Sequence, residues 1–323
     1  MIITDALQVQ IAKETTWGTA VSPMTAKLMD VTDFTLKPIV ESTRHKTRRG
    51  SFAPAYKSNI TKIAAEGSFE SLASFEDLPY WIESVFGIAT PSGSGTYTRD
   101  YAAPLTSAPT SPRIFSVVYG TGSDIYRGIG IQVAKLTISG ERNAPLMVKG
   151  DLIGKEVDSS GALAALSDRT TEAILFPSTA LYIDASGGTI GTTAIADLWS
   201  SFELSIDTGR AVRHYNSLKP SRIKEAVFDI ELKLTLEFDS TSKAFVDAIV
   251  AGSTVFEKQV RIKATSGTKV AQFDFAGIAE AAPEIWTDDD GAGSVELTLK
   301  AQYNAALANY FKAQCVNAVA TLA

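Results

Sequence analysis

A single cysteine, Cys315, stands in a chain of 323 residues. An internal disulfide framework is therefore excluded, and stability must come from packing or assembly. Only two histidines occur, His45 and His214, and neither has a cysteine or second histidine at metal-ligand spacing. No Gly-x-Ser-x-Gly elbow is present, although a Ser-His-Asp arrangement stays open on residue types alone. Gly93-Ser94-Gly95 and Gly120-Thr121-Gly122 fall short of a dinucleotide fingerprint and read as turns. The acidic run Asp288-Asp289-Asp290-Gly291 has the charge for calcium without the alternate spacing of an EF-hand, so it reads as a hairpin tip, with ion binding left open. No cofactor is expected. No apolar run reaches the ~18 residues of a transmembrane helix, and Met1-Ile2-Ile3-Thr4-Asp5 lacks the basic and apolar regions of a signal peptide. No membrane partner is expected, and a cytoplasm is the expected compartment of synthesis. A net charge of −6 argues against a surface that grips nucleic acid throughout.

What is present is a globular balance, 45% hydrophobic and 20% charged, in a chain long enough for one large or two ordinary domains. Residues 230–239 alternate strictly between apolar and polar, the period of a half-buried strand. Weaker alternation marks strands at 7–11, 33–39, 114–119, 129–138, 145–152, 202–206, 260–264 and 294–301. Turn signals separate them, among them 91–95, Ser139-Gly140, 186–188 and Ser266-Gly267. Helices are predicted in three places. One opens at Ser74 as N-cap, with Asp77 three residues on. A second covers 243–250. The third lies at the Ala-rich C-terminus, where Leu307, Phe311, Cys315, Val319 and Leu322 recur at helical spacing, and where Cys315 reads as a small core residue.

The chain also repeats itself. Arg44-His45 matches Arg213-His214, and Ile63, Ala65, Gly67 and Phe69 then fall on Leu232, Leu234, Leu236 and Phe238. Both stretches lead into a short helix ending at glycine, Val85-Phe86-Gly87 and Val250-Ala251-Gly252. Upstream, Trp17-Gly18-Thr19 matches Ile190-Gly191-Thr192. Downstream, Gly128-Ile129 matches Gly277-Ile278, and 146–152 matches 295–301. The same order of strand, basic loop, long strand, helix and further strands occurs twice. The expectation is a mainly β chain of two tandem domain copies, 1–158 and 176–323, each with one short flanking α-helix, joined by a Ser/Ala/Gly-rich linker over 159–175.

The opening segment Gln10-Ile11-Ala12-Lys13-Glu14-Thr15-Thr16-Trp17-Gly18-Thr19-Ala20 resembles the start of many tail tube proteins of long-tailed bacteriophages (siphoviruses). In those, a first strand leads through a polar stretch to a Trp-Gly-Thr or Tyr-Gly-Thr turn. The order of elements is similar as well. The resemblance implies a tail-tube-type β-sandwich or barrel and a structural virion protein, made in the host cytoplasm, that is not an enzyme. It implies a homo-oligomer of rings stacked into a hollow tube, through which double-stranded DNA passes without specific binding. Tape-measure, terminator and baseplate proteins are the implied partners. Some members are similar in carrying two tube domains per chain, which implies a trimeric, pseudo-hexameric ring. The rival is a non-enzymatic β-sandwich module that decorates a capsid or binds a receptor or sugar. Its exposed aromatic clusters are not evident, since Trp17, Trp81, Trp199 and Trp286 are scattered.

Two sets of candidate residues follow. The polar face of the long strands carries Lys62, Glu66, Ser68 and Glu70 in the first copy, and Glu231, Lys233, Thr235, Glu237 and Asp239 in the second. Acids dominate, which suits a DNA conduit, because a basic wall condenses onto phosphate. Glu66, Glu70, Glu231, Glu237 and Asp239 are the lumen candidates. The same alternation also serves merely to keep a sheet face solvated. The second set is the basic loops, with Arg44, Lys46, Arg48, Arg49 and Lys57 in the first copy and Arg210, Arg213, Lys219 and Arg222 in the second. With Phe52, Tyr56 and Tyr215 nearby they read as a nucleic-acid patch, as arms docking on the acidic surface of the next ring, or as solvated loops. Their shared place in both copies favours the arms. The resemblance to tube proteins, whose equivalent loops reach between rings, implies the same.

Overall fold

Alternating side chains become strands along most of the chain in the computed structural model. It describes residues 7–322 except 47, 51–52, 56, 110, 123, 197, 253–255, 282 and 290, and describes 284–289 by backbone alone. The first half comprises β1 (Gln8–Lys13), β2 (Ala26–Lys27), β3 (Val31–His45), β4 (Lys57–Leu72), α1 (Leu78–Phe86), β5 (Ser92–Ser94), β6 (Thr96–Ala102), β7 (Phe115–Thr121), β8 (Asp124–Glu141), β9 (Met147–Gly154) and β10 (Glu156–Asp158). The second comprises β11 (Thr179–Ala185), β12 (Ala194–Ile195), β13 (Trp199–Asp207), β14 (Ala211–Arg213), β15 (Arg222–Lys224), β16 (Asp229–Glu237), α2 (Ser240–Ala251), β17 (Glu257–Ser266), β18 (Lys269–Ile278), β19 (Glu284–Asp289), β20 (Ala292–Ala301) and β21 (Phe311–Asn317). The chain is mainly β, as the sequence predicts. No helix among the described residues is long and apolar enough to cross a membrane.

The helices stop and start for local reasons. Pro79 occupies the first turn of α1, where its missing N–H costs nothing, and Gly87 follows the last residue. The N-cap of α1 is Asp77 rather than Ser74, whose hydroxyl instead accepts from the Asp77 amide at 3.2 Å. Asp239 caps α2 in a reciprocal box with Ser242, and Gly252 ends it in the left-handed region. The third predicted helix does not form. Phe311, Ala313, Cys315 and Asn317 are the buried positions of strand β21, and burial pushes the Cys315 thiol up to about 12.

Strand pairing runs in the same order in both halves. In the first it is β2-β1-β7-β8-β9-β4-β3. In the second it is β12-β11-β17-β18-β20-β16-β13. All these pairs are antiparallel. The alignment made from sequence needs one adjustment. Phe69 pairs with Gly150, and Leu232 pairs with Leu299, the residue that matches Gly150. Phe69 therefore corresponds to Leu232, not to Phe238, because the hairpin tip between β3 and β4 is longer than that between β14 and β15. The slip is an even number of residues, so each side chain keeps its face.

Two seams join the halves. In one, Lys135–Glu141 of β8 pair on their outer side with Asp207–Ser201 of β13. In the other, β21 lies between β18 and β6, so a strand of the first half extends the sheet of the second. Behind this second seam Arg99, itself 1% exposed, donates to the Val319 carbonyl at 2.7 Å and to Asn317 at 3.2 Å. Arg113 meets the buried Glu83 at 2.7 Å. In the core of the first half Phe69 stacks on Trp81 at 3.8 Å, and Trp81 meets Phe115 edge-on at 5.9 Å. The run 159–175, read from sequence as a linker, lies along the first half. Ala164 donates to Gln10 at 2.8 Å, Asp168 pairs with Lys27 at 2.7 Å, and Thr171 donates to Asp30 at 3.1 Å.

The matched glycine turns use the same chemistry. Gly18 and Gly191 have φ of +76° and +86°, where a side chain is strained, and each donates its amide to a carboxylate, Glu14 at 2.8 Å and Asp184 at 2.6 Å. Burial pushes the Glu14 carboxyl up despite donors from Gly130, Ser116 and Gly18. Burial also opposes charge on Asp184, but hydrogen bonds from Thr192, Thr193 and Gly191 outweigh it and hold that carboxyl below its usual range. The stability contributed by Asp184 is therefore complete above the unfolded pKa of about 4 and lost as pH falls through the lower folded value. Asp184→Asn is expected to cost about 1–3 kcal/mol at pH 7, because the Gly191, Thr192 and Thr193 donors lose a charged acceptor and one of its two oxygens. Urea unfolding should show that difference shrink at pH 3; an equal difference at both pH values would contradict it.

Candidate assembly surface

The β8–β13 seam makes one continuous sheet of β3-β4-β9-β8-β13-β16-β20-β19. Its apolar face carries Phe69, Leu136, Ile206, Leu232 and Leu299 into the core. Its other face is mainly polar, interrupted by Met147 and Ile153 of β9. One register row runs Asp33, Glu70, Lys149, Thr137, Ser205, Glu231, Lys300 across seven strands and both halves. Another runs Thr35, Ser68, Asp151, Lys135, Asp207, Asp229.

Four of the five lumen candidates lie on this face: Glu66, Glu70, Glu231 and Glu237. The fifth is corrected. Asp239 stands beyond the end of β16 and turns its carboxylate onto the amides of Thr241 and Ser242 at 2.9 and 2.8 Å, capping α2. The strand pattern carried on past the point where the backbone turned. Sequence reasoning also missed the lysines that neighbouring strands bring alongside. Lys149 lies 3.3 Å from Glu70, and Lys300 lies 2.6 Å from Glu231. Hydrogen bonding to Lys300 lowers the Glu231 carboxyl and raises the lysine in turn. Carboxylates still outnumber lysines over the face.

The two basic loops behave differently. Arg44, Lys46, Arg48, Arg49 and Lys57 line the distal part of the β3–β4 hairpin and are exposed. Phe52 and Tyr56 lie outside the described residues, as do the side chains of the acidic run 288–290. The β14–β15 hairpin, by contrast, folds back on its own chain. The Leu218 carbonyl accepts from the Ile63 amide at 2.8 Å, and Lys219 pairs with Glu156. Arg222 lies over the Tyr215 ring at 5.2 Å, and Arg213 is exposed.

Arg210 does not belong to an exposed arm. Its side chain is fully buried, paired with Glu225 at 2.7 Å, and it donates to the carbonyls of Ser84, Val85 and Val133. It closes the C-terminal end of α1, where carbonyls lack helical partners and favour a cation. Burial draws its pKa down and Glu225 opposes that.

The edges of the continuous sheet are open. Among the described residues β3 pairs only with β4, and β19 only with β20. Open edges carry unpaired backbone groups and are templates for further pairing. No group of three or more His, Cys, Asp or Glu among the described residues is placed to hold a metal ion. His45 meets Asn59 across its hairpin at 3.3 Å. No curated protein matches the chain. The profile of one family, described as phage tail tube protein, matches residues 4–302. With that match over nearly its whole length, a mainly β fold and a polar sheet open at both edges, the chain belongs to the phage tail tube protein family and is a structural protein of a phage tail.

Proposed function

We propose that three copies of this chain close into a ring, that rings stack into a tube, and that the tube is the conduit for genome ejection. The carrying observation is the β8–β13 seam. It joins two halves of the same strand order by antiparallel edge pairing, and it leaves equivalent edges open at β3 and β19. Repeating the joint between chains pairs β19 of one copy with β3 of the next. Eight strands per chain then give roughly two dozen in a closed ring, in the range of barrels that enclose a wide aqueous lumen. Each half acts as one tube domain, so the ring has true threefold and only approximate sixfold symmetry.

The polar face of the sheet lines the bore in this reading. Its excess of carboxylates repels phosphate, so DNA passes without being held. The exposed hairpin tips at Arg44 to Lys57 reach the neighbouring ring. Terminator, tape-measure and baseplate proteins meet the ends and interior of the tube, in the virion.

Electron microscopy of the purified protein tests the stoichiometry. Hollow tubes with three chains per ring, and with Glu66, Glu70 and Glu231 facing the bore, are expected. A map with six chains per ring, or with those side chains on the outside, would sink the reading.

A further inference from the structure

Val85 and Val250 hold the same place, two residues before the glycine that ends each helix. Val85 is 0% exposed, whereas Val250 is 63% exposed. A second pair shows the same contrast. Counting back from the match of Phe69 with Leu232, Ala64 corresponds to Val227; Ala64 is 0% exposed and Val227 is 90% exposed.

Part of the cover over the first pair comes from across the β8–β13 seam. Arg210 reaches the carbonyls at the end of α1, and Phe228 stacks on Phe86 at 5.7 Å. Leu218 binds the Ile63 amide on the part of β4 that extends past β9. Among the described residues, α2 and the stretch before β16 have no such cover: Val250 and Val227 stay exposed. The next domain in a ring is the first half of another copy. Its element equivalent to the β13–β15 segment is the β3–β4 hairpin. Counting along β3 from the same match gives Val40 as the counterpart of Arg210, although β3 runs on as a strand where the second half turns at 207–209. Val40 is 54% exposed, and Ile60 on the opposite strand of the hairpin is 49% exposed. Scattered surface hydrophobics are ordinary, but Val40 and Val250 are the counterparts of the two sides of one contact, Arg210 on the end of α1, and Ile60 lies across the hairpin near Val40.

We propose that the base of the β3–β4 hairpin of a second copy packs Val40 and Ile60 against Val250 and Val227. The proposal rests on the ring reading and adds the contact that seals each joint between chains. The seam within the chain uses a buried arginine and its glutamate, formed once on folding. The contact proposed between chains is apolar, so it desolvates no ion pair. The hairpin then has two functions along its length, an apolar base that grips within the ring and a basic tip beyond it.

Val250→Glu and Val227→Glu are each expected to raise the protein concentration needed for ring formation by about tenfold or more, since either puts a carboxylate against apolar carbon. Both positions are exposed in the single chain, so monomer thermal unfolding should match wild type. Adding Val40→Lys to the Val250→Glu chain should recover most of the lost assembly, which a weakened fold would not allow. Assembly of Val250→Glu at the wild-type concentration, or no recovery with Val40→Lys, overturns the docking and leaves the ring reading intact. Wild-type protein that stays monomeric at every concentration overturns the ring reading, and the docking with it.

Discussion

Reversing the charge at the tip of the β3–β4 hairpin, with Arg44→Glu, Arg48→Glu and Arg49→Glu together, should leave folded chains and single rings but no tubes. The three side chains are exposed in a hairpin whose base alone meets the rest of the sheet, so the folded chain has little to lose. A partner ring of net negative charge has much to lose. Complementary charge across a polymer contact sets register and orientation, and like charge there costs several kcal/mol per contact. That cost recurs at each chain of each ring. Negative-stain microscopy reads the result directly, and tubes of wild-type length in the triple variant would remove the hairpin tip from the stacking contact. A salt series supplies the second check: at ~1 M, where screening acts within about 3 Å, wild-type tubes should shorten or come apart.

Arg210→Met should be the most damaging single change in either basic loop. The guanidinium is buried, and its removal leaves Glu225 without its cation and the carbonyls of Ser84, Val85 and Val133 without donors. Breaking such a pair by removing one partner costs about 3–5 kcal/mol. For a chain of this size that lowers Tm by roughly 4–7 °C. Arg222→Met is the control. Its guanidinium lies on the exposed Tyr215 ring, and its loss should stay within about 0.5 kcal/mol. Equal melting of the two variants would mean that the buried pair contributes nothing to the fold.

The contrast between those two arginines marks where sequence stops being informative. Strands were legible because alternation is local: every strand expected from period alone was found, and β16 was unmistakable. The C-terminal helix failed for an arithmetic reason. A spacing of four residues fits a helix face, but it is also two periods of a strand, so Leu307, Phe311, Cys315 and Val319 satisfied both. Ala313 and Asn317 broke the tie, and neither looks like core; Asn317 is buried because its amide donates to the Phe75 carbonyl at 2.7 Å.

Arg210 carried no sign of burial beyond the Asp207-Thr208-Gly209 turn that swings it inward, where Gly209 donates to Asp207 at 2.7 Å. Asp239 did carry a sign, Ser242 three residues on, which marks a helix start rather than one more strand position. The polar face was legible strand by strand, but the lysines paired with Glu70 and Glu231 sit on strands far away in sequence. Only the pairing brings them together.

The seam formed by β6 and β21 has a consequence for synthesis. Arg99 emerges from the ribosome with its backbone in a strand that has no partner beyond β5, and its carbonyl acceptors follow 220 and 221 residues later. Until they arrive, a cation that ends up buried must remain in water, and the edge of β6 stays open. Contacts so distant in sequence form late and slowly. The first half can build its inner sheet as it is made, but the clasp between halves waits for residues 311–322. A nascent chain is therefore held short of its final shape until residues 311–322 have been translated.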